Sequence, residues 1–508
     1  MPSRHGFDPE CNLLYQINFL SKLAHIFSLV PQGIFINYLT KQIEKAHFGQ
    51  IFGYFVLIIF STLSTLGMMK TQFTLVALAL IVLSSCVDDI KGSLDSNLRK
   101  ALVESSKTGS VDHYIMPDSR DFNELPNQDP NNPITEEKVI LGQQLFFETG
   151  LAQKPKNKDS YETYSCSSCH IPEKGFLPGR IQGIADGGRG FGDNGNFRTI
   201  APSYLESDID AQGNRPLTVM NVTFMTNTSW SGTFGANDQN IGTEQHWTDG
   251  AEVNNTGFVG LEAQNIEGLH VHRMEINDKV LYEYGYAELF DKAFHDIPES
   301  ERYNATTASF AISAYLRTIL TNQNPFQDFL KGDNKAMTRN QKEGGLVFFK
   351  KAECYKCHNS PSLGAMKFYA LGTRDLYEMG GVNTSADDPR ILGRASFTKE
   401  ENDMYKFKVP QLYNLKDYST FFHGSSKNSI EEVVDYKIAA HSENSKVSDE
   451  SMPLTRLELT EEERSDLIDF LTYALYDYDI ERYVPQSVKS GKCFPNNDAQ
   501  SKEDMGCK

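Results

Sequence analysis

The sequence predicts a mainly α-helical protein with two related domains and long irregular loops, and three observations carry that prediction. Apolar residues recur at helical spacing in 135–147, 305–321, 338–350 and 460–476. Residues 175–260 are rich in Gly, Asn, Asp and Thr, with ADGGRGFGDNGN at 185–196, a composition that makes loops. An apolar helix also leads twice into one short cysteine motif, LGQQLFF before YSCSSCH and GGLVFFK before ECYKCH, which is an internal repeat.

Composition allows this architecture and excludes others. The chain has 508 residues, 39% of them hydrophobic and 11% aromatic, enough apolar surface for two or three cored domains. A net charge of −18 excludes a nucleic-acid partner, whose phosphates select a basic face, and suits a basic protein partner.

In chain order, residues 69–86 (MKTQFTLVALALIVLSSC) form a targeting unit: Lys70, an apolar run over 73–83, then Leu83-Ser84-Ser85-Cys86. That ending resembles a bacterial lipobox, in which the cysteine is lipidated and anchors the mature chain. The apolar stretch 51–67 is long enough to span a bilayer, but two spans would return the rest of the chain to the cytoplasm. Residues 1–68 are therefore read as a leader or an over-called start, the other reading being an uncleaved single anchor. Polar residues 87–118 read as a tether. The first domain is expected over 119–325, the second over 326–485, and a tail over 486–508. Within them, acids open the helix at 135–147, helical character returns at 279–295, and Thr460 with Glu463 forms a capping box.

The chemistry lies in the repeated motif. Cys166 and Cys169 precede His170, and Cys354 and Cys357 precede His358, in a chain with only eight cysteines. Cysteines at i and i+3 share one face of a helical turn, so both sulfurs reach one porphyrin as thioethers, and the next histidine offers nitrogen to its iron. A single copy also fits a redox dithiol or half a zinc site. Zinc wants a matched second ligand pair, and a redox dithiol wants a βαβ context that is absent here. Two copies behind an export signal point to two covalently bound haems c. Cys493 and Cys507 flank a short C-terminal loop where an oxidising compartment favours a disulfide.

With these motifs in place, the chain resembles the bacterial di-haem cytochrome c peroxidases, a family that includes the MauG-type enzymes. The likeness runs over 118–476 through LPNQDPNNPITEEKVILGQQLFF, CSSCH, RPLTVMN, GLEAQ, NPFQDFLKGD, CYKCH, KFKVPQLYNL, FFHGSSKNSIEEVV and LTEEERSDLIDFL. It implies two cytochrome-c-like haem domains, an N-terminal haem where hydrogen peroxide reacts, and a C-terminal haem that accepts electrons from a small cytochrome or cupredoxin. It implies Trp230 as the indole between the haems and His423 as a motif histidine near the first haem. Gln264 aligns with the active-site stretch, and Glu275 is the expected acid/base group, with Glu267 in reserve and His270 and His272 as alternatives.

Two departures matter. Many members block the peroxidatic iron with a distal histidine after the first motif, yet residues 171–245 contain none. Either that iron is five-coordinate, as in MauG-like relatives, or His246, His270 or His272 fills the role. At the second haem the family's distal methionine position falls on Lys437, beside Tyr436. MauG-type enzymes use tyrosine there, so Tyr436 is the expected ligand and Lys437 the second choice, while Met452 or Met379 needs another loop path. The resemblance also allows a bridging Ca²⁺, poorly matched near Asn214 and Tyr418, and a homodimer. The function expected is an extracytoplasmic, lipid-anchored peroxidase. The alternatives are a MauG-like oxidase of a protein or organic substrate and a di-haem electron carrier.

Overall fold

The computed structural model describes residues 93–507. The leader, the targeting unit with Cys86, and Cys11 lie outside the described residues. The fold is helical with long loops, as the periodicity predicts. Helix α1 covers 93–105. Next come α2 (Glu136–Phe147), α3 (Gly260–Val271), α4 (Ala287–Ala293), α5 (Ala305–Thr318) and α6 (Pro325–Leu330). Then follow α7 (Arg339–Leu346), α8 (Ile430–Ala439), α9 (Glu461–Asp469) and α10 (Ala499–Met505). Two antiparallel strand pairs complete it: β1 (Gly188–Arg189) with β2 (Thr199–Ile200), and β3 (Ala365–Ala370) with β4 (Lys406–Val409), Tyr369 opposite Phe407. Among the described residues no helix is long and apolar enough to cross a membrane.

Capping chemistry sets the helix starts. The Thr135 side chain accepts from the Lys138 N–H at 3.3 Å, with Glu136 and Glu137 in the first turn. Thr338 with Gln341 and Thr460 with Glu463 form capping boxes. Both of these helices then widen into a π turn, at Val347–Lys351 and Phe470–Ala474. The helix expected over 279–295 is instead a π turn at Lys279–Glu283 followed by α4, broken at Gly285 with φ +78°.

The segment read as a tether is a docked helix. In α1, Asp95, Leu98, Ala101, Leu102 and Ser105 are buried, a helical stripe that the surrounding polar residues obscure in sequence. Leu98 and Leu102 join the second of the two largest cores, with Phe326, Phe329, Phe348, Phe349 and Phe470. The first core gathers Leu141, Leu145, Phe146 and Phe147 of α2 with Ile312 and Tyr315 of α5. Burial of each phenylalanine contributes about 1.5–3 kcal/mol. The chain ends depart from the expected limits: Tyr114 and Met116 pack in the second core, while Ile480, Tyr483 and Val488 pack in the first. The two ends of the described chain therefore pack in different cores, the N-terminal end in the second and the C-terminal end in the first. Cys493 and Cys507 form the expected disulfide.

Candidate cofactor sites

Both cysteine motifs are built from the same parts. Helices α2 and α7 each carry Gly-x-x-x-Phe-Phe, from Gly142 and from Gly344. A Cβ on Gly142 would stand 1.9 Å from the Ala311 carbonyl oxygen of α5, and one on Gly344 would stand 1.9 Å from that of Asp466 in α9. Only glycine admits the crossing helix this closely. The phenylalanines that follow pack edge to face, with centroids 5.1 Å apart for Phe146 and Phe147 and 4.8 Å for Phe348 and Phe349. Phe146 lies 6.3 Å from the His170 ring and Phe348 lies 6.4 Å from the His358 ring.

The motifs themselves are tight turns, Cys166–Ser168 and Cys354–Lys356. In the first, the N–H groups of Cys169 and His170 both donate to the Cys166 carbonyl at 3.2 Å. In the second, those of Cys357 and His358 donate to the Cys354 carbonyl at 3.2 and 3.0 Å. His170 Nδ1 then donates to the Phe176 carbonyl at 3.0 Å, and His358 Nδ1 to the Leu363 carbonyl at 2.7 Å. This fixes the tautomer and leaves each Nε2 as a ligand. Burial lowers both imidazoles to about 4, so they stay neutral, as a ligand must be. Burial pushes the thiols of Cys166, Cys169 and Cys354 up to about 12, the opposite of an activated redox or zinc-binding thiolate. Among the described residues no three His, Cys, Asp or Glu side chains converge to hold a metal ion. The first motif is also clamped by the tail: Ser165 and Ser168 hydroxyls donate to the Pro495 carbonyl at 3.0 and 2.9 Å.

Beside the second motif lies a cavity of about 430 Å³, with Cys354, Cys357 and His358 in its wall. Its lining is largely apolar, including Phe348, Leu412, Leu415 and Leu471. Five residues of α8 reach it at helical spacing, Ile430, Val433, Val434, Lys437 and Ile438. Trp230 and His423 line it too, 6.4 Å apart. The indole N–H of Trp230 donates to the Arg215 carbonyl at 2.6 Å, and the Arg215 guanidinium lies 5.8 Å from both the Trp230 and Tyr418 rings. One terminal nitrogen of Arg215, Nη1, is buried without a hydrogen-bond partner. Burial lowers two lining amines, Lys408 to about 7 and Lys437 to about 8.

A family model described as di-haem cytochrome c peroxidase matches residues 136–335, a span that begins on α2 and contains the first motif. Over that span the chain is similar to the di-haem cytochrome c peroxidases. It is 26% identical over 342 residues to the methylamine utilization protein MauG of Methylorubrum extorquens, covering 67% of this chain and 78% of that protein. It is 25% identical over 364 residues to the cytochrome-c peroxidase IdrP1 of Pseudomonas sp., with coverages of 67% and 81%. Against the cytochrome c551 peroxidase of Pseudomonas aeruginosa the identity is 26% over 302 residues, with coverages of 59% and 72%. The family's haem suits the residues present. An apolar cavity walled by a fixed imidazole fits a flat macrocycle, and the unpartnered Arg215 nitrogen fits a carboxylate at its edge.

The remaining expected site residues fall in separate places. Trp230 and His423 lie together in the second cavity. Gln264 is half-buried on α3, and its side chain has no hydrogen-bond partner among the described residues. Glu267 follows three residues later, its side chain 19% exposed, and burial raises its carboxyl above the ordinary value. His272 caps α3, its Nδ1 on Asp210 at 2.6 Å, and its charge is felt by both His170 and Glu267. His270 is exposed, and His246 sits in the separate turn Glu244–His246. Glu275 is tied to Lys154 at 2.6 Å. Tyr436 is buried outside the cavity lining, and its hydroxyl donates to the Leu371 carbonyl with Met452 Sδ 4.0 Å away. Met379 ends the turn Leu376–Met379. The sequence reading missed Arg215 and Lys408, and it gave Tyr418 no redox role, although this tyrosine packs against both cores and lines the second cavity.

Proposed function

We propose that this protein is an extracytoplasmic peroxidase that reduces hydrogen peroxide to water with two electrons from a small donor protein, a cytochrome c or a cupredoxin. The observation that carries the reading is the duplicated ligand geometry, a histidine held through Nδ1 by a backbone carbonyl beside two buried cysteines. Haem c attached at Cys166 and Cys169 and at Cys354 and Cys357 supplies iron that exchanges single electrons and cleaves an O–O bond where a coordination position stays open.

The chain's own residues do the rest. Arg215 offers its free nitrogen to a carboxylate edge and, with Trp230 and Tyr418, forms a dense aromatic and cationic path beside the second cavity. Proton handling at the first site is assigned to Glu267, with Gln264 three residues earlier on the same helical face as its orienting partner. Burial shifts Glu267 toward the operating range of an acid/base group, whereas Glu275 is committed to Lys154. The −18 charge suits a donor with a basic docking face. Export and a lipid anchor through Cys86 rest on residues 69–86.

A MauG-like oxidase of a protein or organic substrate is the second reading, favoured by the lack of any methionine in the cavity lining among the described residues. Stopped-flow absorption after adding peroxide, followed by steady-state oxidation of reduced cytochrome c, tests the assignment. A fast spectral change and sustained donor oxidation are expected, with Glu267→Gln slowing turnover about 100-fold or more. A spectral change without donor oxidation would favour the oxidase. No spectral change would leave an electron carrier.

A further inference from the structure

The second cavity holds one amine with no assigned task. The nitrogen and sulfur donors that line it, apart from the motif itself, can be taken in turn. His423 has both ring nitrogens engaged, Nε2 with Asp375 at 2.9 Å and Nδ1 with Thr373 at 3.4 Å, and its ring stacks on Phe407 at 3.6 Å. Lys408 donates to the Asn227 carbonyl at 2.8 Å. Lys356 is exposed and paired with Glu353. Arg215 stays protonated and cannot ligate. No methionine lines the cavity among the described residues. Lys437 remains: it lies on the cavity-facing stripe of α8 with Val433, Val434 and Ile438, and its Nζ has no hydrogen-bond or carboxylate partner among the described residues. Its Nζ lies 5.6 Å from the centre of the Phe422 ring. An amine left this way in a largely apolar cavity carries an uncompensated cost unless something in the cavity accepts its lone pair or charge. Tyr436 has no such freedom, since its hydroxyl is committed to Leu371.

We propose that Lys437 is the sixth ligand of the second haem, its neutral amine binding the iron opposite His358. This rests on the haem assignment above and adds a ligand type to it. Because an amine donates a lone pair and carries no net charge once bound, a histidine–lysine pair gives a low-spin, coordinatively filled electron-transfer centre. Peroxide chemistry is thereby confined to the first site.

The test uses the full-length holoprotein grown on ¹⁵N-lysine, with pulsed EPR of the oxidised state and haem counted by pyridine haemochrome. A strongly coupled ¹⁵N on one low-spin haem is expected. Lys437→Ala should lose that coupling while two haems remain, and Tyr436→Phe should keep it. Absence of ¹⁵N coupling in a wild-type protein with two haems would overturn the proposal alone, as would coupling that survives Lys437→Ala. Should Lys437→Ala fail to fold, near-infrared magnetic circular dichroism of the wild type reads the ligand pair, and a histidine–methionine or tyrosinate signature likewise overturns it. Fewer than two haems in the wild type would instead overturn the assignment beneath it.

Discussion

At the scale of single residues, the environment of each group decides its role. Burial pushes the Glu162 carboxyl up, but Lys279 and Lys492, each at 2.8 Å, with Tyr284 and Gln153, outweigh that and hold it at about 2. The folded protein therefore binds fewer protons here than the unfolded chain, whose carboxyl titrates near 4.5. The stabilisation is complete above that value and drains away as pH falls toward 2. Thermal unfolding from pH 7 to pH 2.5 should show the wild type losing stability below pH 4.5 more steeply than Glu162→Gln, which should be less stable at neutral pH. Matching acid profiles would contradict this. The paired cysteines and the histidine after each pair were legible because their spacing is local. The residues that line the second cavity were less so, because a residue's access to a cavity depends on which helix face meets it. A helical wheel still carries that signal: Lys437, not Tyr436, shares a face with Val433 and Val434.

Single helices show why the two motifs share one geometry. Gly142 and Gly344 set the crossing of α2 with α5 and of α7 with α9, and each crossing positions the phenylalanine pair packed beside a motif histidine. Gly142→Ala or Gly344→Ala forces backbone apart, a cost of about 1–3 kcal/mol and occasionally more. Each should lower the midpoint of thermal unfolding by several degrees and reduce haem loading at its own site, read by optical absorption per chain. Unchanged melting in both variants would contradict the close-approach argument. The main helices were legible from apolar period and caps, but 279–295 was not, because Gly285 and a π turn interrupt a pattern that reads as continuous. Helix α1 was missed because its buried stripe is short and flanked by polar residues.

Across the whole molecule, the internal repeat predicts two domains, and the two largest hydrophobic cores each gather around one of the repeated helices. The exchange of chain ends between them left no local signature, since Leu98 and Ile480 look alike whichever core receives them. Its consequence is mutual dependence: the tail that holds the first motif through Pro495 comes from the far end of the chain, so the first motif's turn depends on residues more than 300 positions away. The central claim is that each motif carries one covalently held haem. The most direct test is the intact mass of the mature protein under denaturing conditions, after production in a host able to attach haem. A chain retaining the mass of two haems is expected, falling to one when Cys166 and Cys169, or Cys354 and Cys357, are replaced by alanine. A bare polypeptide mass, or haem that extracts into acidified organic solvent, would contradict it.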